Sequence, residues 1–288
     1  MIDLRGRPIA ITGASSGIGR ATALACARAG MPVALGARRR DKLDTVVTEI
    51  ASFGGSAVAV PADVVRAEDC RRLIDLAHAE FGGLYAVFAN AGYGFEKPLL
   101  DTTDDEIRAI FETNFYGTLN TIRPALPGLL GSGAGHILVC SSSISKLGSP
   151  YFSPYSASKA AQDHIARALR IELAGSGVHV SSVHPIGTTS EFFERVDQRS
   201  GGRSIGVRTP ETFMQSPERV ARAVLRCLHR PRGEVWTSAP ARLGLALATA
   251  FPGVADHVLV RYARRRNRIV GALEATAARP EPPTADAP

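Results

Sequence analysis

With 288 residues and 45% hydrophobic content, the chain is long enough to bury one large core or two small ones. Its net charge of +7 rests on 30 Arg against 4 Lys, with the basic excess gathered near the C-terminus. Only 6% of residues are aromatic, and there is no zinc-ligand spacing and no aromatic–glycine motif, so a nucleic-acid-binding protein is excluded. Cys26, Cys70, Cys140 and Cys227 are scattered without metal-ligand spacing, and each falls in a segment that reads as helix or strand. That pattern fits buried free thiols in a reducing compartment, with no metal. No secretory apolar core precedes the first apolar run at 8–11, so an unprocessed cytoplasmic protein is expected.

The first unit reads as βαβ. Residues 8–11 form a short buried strand. Thr12-Gly13-Ala14-Ser15-Ser16-Gly17-Ile18-Gly19 forms a tight loop, 20–29 a small-residue helix ended by Gly30, and 31–36 a second strand. Glycines at 13, 17 and 19 let the backbone turn sharply and approach a pyrophosphate, and the helix N-terminus then offers free N–H groups. An NAD-selective site places a carboxylate at the end of the second strand for the ribose 2′-hydroxyl. Here the sequence is Gly36-Ala37-Arg38-Arg39-Arg40. With no local carboxylate to repel a 2′-phosphate and guanidinium groups to bind it, NADP(H) is the expected cofactor and Arg38 its first contact. Alternatively, these arginines only cover the surface before a helix at 41–52.

The alternation continues with a strand at 56–60, Asp63 and Val64 at its C-terminal edge near an adenine, a helix at 67–81 and a strand at 84–89. Small residues Asn90, Ala91 and Gly92 then keep the floor of the cleft open. Thr103 and Glu106 form a capping box opening a long helix that carries Asn114 and that Pro124 and Pro127 bend or end. A strand at 136–140 leads to Ser142, whose hydroxyl can donate to a substrate oxygen. Tyr155 and Lys159 follow at helical i, i+4 spacing, with Ala161, Ile165, Leu169 and Leu173 marking the helix. Bringing a phenol from a pKa of about 10 to about 7 needs roughly 4 kcal/mol, which a lysine and an oxidised nicotinamide together supply.

These motifs, in this order and with thirteen residues from Ser142 to Tyr155, resemble the short-chain dehydrogenase/reductase family from about residue 8 to 236. The resemblance implies a doubly wound parallel β-sheet (Rossmann fold) with helices on both faces, acting on a carbonyl or secondary alcohol. It implies Tyr155 as general acid or base, and Lys159 on the nicotinamide ribose. Ser142 would polarise the substrate oxygen, and Asn114 would hold a water in a proton relay. Asp63 and Val64 would lie at the adenine, and Asn90 to Gly92 would line the cofactor cleft. Pro185 would begin a loop over the nicotinamide, with a hydroxyl for the carboxamide from Thr188 or Ser190. Homodimers or homotetramers are usual in such proteins. A non-catalytic NADP-binding sensor or scaffold is the competing reading, and the full Ser142–Tyr155–Lys159 set argues against it.

Departures from the family pattern are also visible. Ser16 is not the basic residue of some NADP-using members, and Ser145 stands where glycine is common, which narrows that side of the pocket. Residues 191–215, with Phe192, Phe193, Phe213 and Met214 as apolar shoulders and a glycine-rich tip at 199–204, read either as a substrate lid over an apolar substrate or as a disordered surface loop. Ser216 and Pro217 open a further helix, and 234–236 is the last strand of a domain spanning 1–238. A helical extension at 239–276 and a disordered tail at 277–288 follow. In 258–269, Arg261, Arg264, Arg265 and Arg268 form a basic stripe beside Val258, Tyr262 and Ile269. Packing on the core or a partner subunit is favoured there over contact with an anionic membrane.

Overall fold

Strand β1 (Ile9–Thr12) alternates its side chains between two cores. Ile9 and Ile11 face one cluster and Ala10 the other, so both faces of the sheet are buried. The structure is a computed structural model, and it describes residues 1–200, 214–261 and 264. Six more strands join β1: β2 (Val33–Ala37), β3 (Ala57–Pro61), β4 (Ala86–Ala89), β5 (Gly135–Cys140), β6 (Val178–His184) and β7 (Glu234–Trp236). All pair in parallel in the order β3-β2-β1-β4-β5-β6-β7.

On one face, α1 (Gly17–Arg28), α2 (Arg40–Ser52) and α9 (Pro217–His229) pack Leu24, Val46, Ile50 and Val224 against Ile9, Ile11 and Leu35. The other face is covered by α3 (Ala67–Phe81), α5 (Gly117–Ile122), α6 (Leu126–Ser132) and α7 (Ser153–Glu172), through Leu73, Ile74, Ile122, Leu129 and Ala166. The sheet is therefore doubly wound, and chain order reverses between β1 and β4. A crevice opens at the C-terminal ends of those two strands, as such a reversal requires. All four cysteines are buried free thiols.

Two local features refine the expected elements. The capping box is present: Thr103 Oγ1 accepts from Glu106 N at 3.2 Å, and Glu106 Oε2 accepts from Thr103 N at 2.8 Å. The helix it opens is not continuous. After α4 (Asp104–Phe111) comes a π-helical turn, Glu112–Tyr116, and only then α5. The wider turn carries Asn114 to full burial, a placement common at functional sites and without a signature in the apolar periodicity. Gly117 lets this segment approach the β3 end, since a Cβ there would lie 2.6 Å from Val64 Cγ2.

The chain divides into two compact units, Met1–Leu245 and Ala246–Pro288. Helix α8 (Glu191–Arg199) precedes α9, and α10 (Ala239–Ala250) and α11 (Pro252–Arg261) follow β7. The interior of the expected lid at 201–213, most of the basic stripe beyond Arg261 and the tail at 277–288 lie outside the described residues.

Candidate active site

The glycine loop joins β1 to α1 at the crevice. Gly13 has φ +67° and Gly17 +55°, conformations that favour glycine. A Cβ on Gly13 would lie 2.9 Å from Ala91 Cα. One on Gly19 would lie 2.6 Å from Asn90 Nδ2 and closer still to the Gly13 carbonyl oxygen. Ser16, at the N-cap of α1, makes no side-chain bond to the helix, which leaves first-turn N–H groups for an anion. Asn90 ties the two strand ends together: its Nδ2 donates to Thr12 O at 3.0 Å, and its N donates to Thr12 Oγ1 at 3.1 Å. Thr12 was not singled out in the sequence, because its hydroxyl acts across 78 positions. Gly19→Ala is expected to abolish dinucleotide binding and cost about 1–3 kcal/mol of stability, since backbone meets backbone. A cofactor fluorescence titration and a thermal melt check both effects.

The crevice continues as a cleft of about 540 Å³. Gly13, Ser15, Ser16, Gly17, Ile18, Arg38, Asp63, Val64, Asn90, Ala91, Gly92, Ser142, Tyr155, Lys159, Pro185 and Thr188 all line it. Two expected residues do not. Gly19 acts through packing behind the loop. Asn114 is buried behind Gly92, where its Nδ2 donates to Tyr93 O and Ser158 Oγ, each at 2.9 Å, and its Oδ1 accepts from Tyr93 N at 2.9 Å. Both amide hydrogens are used in bracing the 92–94 turn against α7. A Cβ at Gly92 would lie 3.0 Å from Asn114 Oδ1 and 3.3 Å from Lys159 Nζ, so this glycine keeps the space between them open.

Ser142, Tyr155 and Lys159 converge at the inner end of the cleft. Helix α7 carries the phenol and the ammonium on one face, and β5 delivers Ser142 at the N-cap of a 3₁₀ turn, Ser143–Lys146. Lys159 Nζ donates to Cys140 O at 2.7 Å and lies 5.7 Å from the Tyr155 ring centroid. The Tyr155 ring sits among Phe152 (6.2 Å between centroids) and Phe192 (5.6 Å). Burial there pushes the phenol well above its ordinary pKa, while a hydrogen bond with Ser142 pulls the other way. Burial also lowers the Lys159 ammonium. Among the protein groups, desolvation dominates the phenol; the expected pull toward neutrality also counted the charge of an oxidised nicotinamide. Gly94, not anticipated, packs under this cluster, where a Cβ would lie 3.1 Å from Tyr155 Cδ2.

At the opposite end, Arg38 is exposed along the cleft wall and, among the described residues, makes no ion pair. Arg39 folds inward, donating to Ser16 Oγ at 3.1 Å and Ser15 Oγ at 3.3 Å. It also pairs with Glu191 Oε2 at 2.8 Å, whose other oxygen pairs with Lys42 Nζ at 2.8 Å. Burial would raise the Glu191 carboxyl, but hydrogen bonds from Lys42 and Arg39 outweigh it and bring it down to about 2. The absence of a carboxylate near β2 holds for the local sequence only. Glu191, at the first turn of α8, supplies one from 152 positions away.

The model of the short chain dehydrogenase family matches residues 7–201. The chain belongs to that family. It is 31% identical to an uncharacterized oxidoreductase of Listeria innocua over 232 residues, 80% of this chain and 93% of that one. It is 42% identical to 11-beta-hydroxysteroid dehydrogenase 1A of Arabidopsis thaliana over 187 residues, 64% of this chain and 52% of that one. Among solved structures, a short chain dehydrogenase/reductase from Burkholderia phymatum in complex with NAD superimposes with a TM-score of 0.80 at 25% identity, covering 88% of this chain and 97% of that one. An alcohol dehydrogenase from Thermococcus sibiricus complexed with 5-hydroxy-NADP gives 0.70 at 30% identity, covering 80% and 95%. This protein is thus an oxidoreductase of the short-chain dehydrogenase/reductase family.

In this short-chain dehydrogenase, the loop after β6 is pinned at both ends. Thr188 Oγ1 donates to Ile186 O at 2.8 Å, and Ser190 caps α8 by accepting from Phe192 N at 3.3 Å. The chain that leaves at Thr189 returns at Gln215, with Thr189 N bonded to Gln215 O and Gln215 N to Gly187 O, each at 2.8 Å. Ser145 does not narrow the pocket: it faces backwards, 3.4 Å from His184 Nδ1.

Behind the loop that carries Ser142 lies a charged cluster that sequence reasoning missed. His184 Nδ1 donates to Ser142 O at 3.1 Å, its Nε2 lies 3.4 Å from Asp163 Oδ1, and its ring stacks on Trp236 at 4.5 Å. Lys146 Nζ bridges Asp163 at 2.5 Å and Glu234 at 2.9 Å, so an ammonium already fills the place a metal would take. Burial would raise the Asp163 carboxyl, yet hydrogen bonds from His184 and Lys146 outweigh it and hold it far below the usual range. A depressed folded-state pKa means stability present above the unfolded value near 4 and lost as pH falls below it. Asp163→Asn is expected to cost on the order of 3 kcal/mol at neutral pH. Urea unfolding at descending pH should show the gap to wild type closing below about pH 4.

Proposed function

We propose that this chain is an NADP(H)-dependent reductase of apolar ketones or aldehydes, or the oxidant of the matching secondary alcohols, with Tyr155 as general acid or base. The observation that carries this reading is the convergence of Ser142, Tyr155 and Lys159 at the inner end of a cleft that begins at the glycine loop. The residues fit a dinucleotide: Gly13 and Gly19 leave no room for a Cβ where a pyrophosphate approaches, and α1 offers its N-terminus. When bound, the nicotinamide supplies or accepts the hydride.

The chain's own groups do the rest. Ser142 donates a hydrogen bond to the substrate oxygen. Tyr155, whose apolar surroundings favour the protonated phenol, delivers that proton to the substrate oxygen in reduction and becomes a phenolate; in oxidation the phenolate takes the alcohol proton. Lys159 holds the ribose hydroxyls from the floor of the cleft. Asn114, whose Oδ1 retains a lone pair beside Gly92, holds the relay water. Ile144, Phe152, Tyr93 and Phe192 line the reacting end and favour an apolar substrate. Structural neighbours include a complex with NAD and one with 5-hydroxy-NADP, so the preference for NADP(H) rests on Arg38 and Arg39. A cytoplasmic location rests on the N-terminal segment and the unpaired cysteines, and a homodimer or homotetramer on the family reading, the assembly to be checked by light scattering.

The test is NADPH and NADH oxidation by the purified protein over a panel of bulky and small carbonyls. Turnover with NADPH on bulky apolar carbonyls supports the reading. Tight NADPH binding with no turnover on any carbonyl would favour the sensor alternative.

A further inference from the structure

The helices after β7 carry apolar surface that the fold does not bury. None of the 12 residues of α10 is buried, although Arg242 is its only charged residue. The pattern continues through the second compact unit, where Leu247 is 52% exposed, Phe251 61%, Val254 67% and Val258 60%. Large apolar side chains exposed in succession along one segment mark an interaction surface.

Charge identifies the partner. Between 246 and 273 the only acidic residue is Asp256, whereas Arg261, Arg264, Arg265, Arg266 and Arg268 fall within eight positions. Joining two copies through this segment would set arginines against arginines. An anionic lipid surface accepts both features at once, the apolar groups among acyl chains and the guanidinium groups at phosphates. Alone, α10 is too short to span: at 12 residues it is about 18 Å long, against about 30 Å of hydrocarbon, and only together with α11, bent from it by 110°, does the stretch reach spanning length and composition. No single helix among the described residues is long and apolar enough to cross, and the apolar stretch breaks between α10 and α11. We propose that residues 246–268 dock this oxidoreductase on an anionic lipid surface, with Leu247, Phe251, Val254 and Val258 inserted and Arg261 and Arg264 at the headgroups.

The experiment is flotation of the full chain with phosphatidylcholine vesicles, with and without phosphatidylglycerol, at low and high salt. Binding that requires phosphatidylglycerol and weakens with salt is expected. Arg261→Gln/Arg264→Gln should weaken it about 25-fold, at about fivefold per arginine removed. Leu247→Asp/Phe251→Asp should reduce it to background with an unchanged melting midpoint, since both residues are exposed. Absence of binding to the anionic vesicles by folded protein would overturn the proposal. So would equal binding to phosphatidylcholine alone. If Leu247→Asp/Phe251→Asp instead splits an oligomer by light scattering, the face closes on a second copy and the proposal also fails.

Discussion

Tyr155→Phe is expected to lower NADPH-linked carbonyl reduction by about a thousandfold while leaving NADPH affinity within about twofold, because a positioned acid contributes on the order of 10²–10⁴. The substitution removes one hydroxyl and keeps the ring that packs on Phe152 and Phe192, so the apolar cluster stays filled. The pH dependence follows from the same burial. A phenol pushed above its ordinary value stays protonated through neutral pH, so reduction should be flat from about pH 6 to 8 and fall only at alkaline pH. Oxidation of the alcohol needs the phenolate, so its rate should climb with pH over the same range. Stopped-flow hydride transfer in both directions reads these profiles. A variant retaining more than about a tenth of wild-type turnover would remove Tyr155 from the chemistry.

The second large effect concerns the charges at the adenosine end. Arg38→Ala is expected to raise KM for NADPH by about 10- to 100-fold, the worth of a charge-assisted contact to a phosphate, and to leave KM for NADH nearly unchanged. Glu191→Gln should act in the opposite direction, lowering KM for NADPH several-fold. Its carboxylate now occupies Arg39 and Lys42, which would otherwise face a 2′-phosphate. Both effects should shrink as salt rises, because Arg38 is exposed and Glu191 only partly buried. Steady-state kinetics with the two cofactors at two ionic strengths decide the matter. If wild type prefers NADH and Glu191→Gln weakens it, Glu191 holds a ribose hydroxyl and the NADP(H) reading is lost.

Glu191 also shows where sequence reading stops. The βα turn at 12–19 was legible because glycine spacing, strand and helix are all local, and the same holds for the capping box at Thr103 and the N-cap at Ser216. The i, i+4 pair of Tyr155 and Lys159 was legible because helix geometry alone puts them on one face. The carboxylate beside Arg39, the brace of His184 on Ser142 and the Lys146 bridge join residues 152, 42 and 88 positions apart, and no periodicity encodes such distances.

The sequence by itself determined the alternation of strands and helices, the crevice and the proposed trio of Ser142, Tyr155 and Lys159, since each rests on short-range spacing and on parallel pairing that buries apolar runs. Only the tertiary structure decided the electrostatics. Burial against Phe152 and Phe192 pushes the Tyr155 phenol up, and Glu191 pairs with Arg39 and Lys42. The exposed face at Leu247 to Val258 likewise became visible only there. Desolvation and charge pairing depend on what folding brings near or leaves uncovered, which the order of residues does not state.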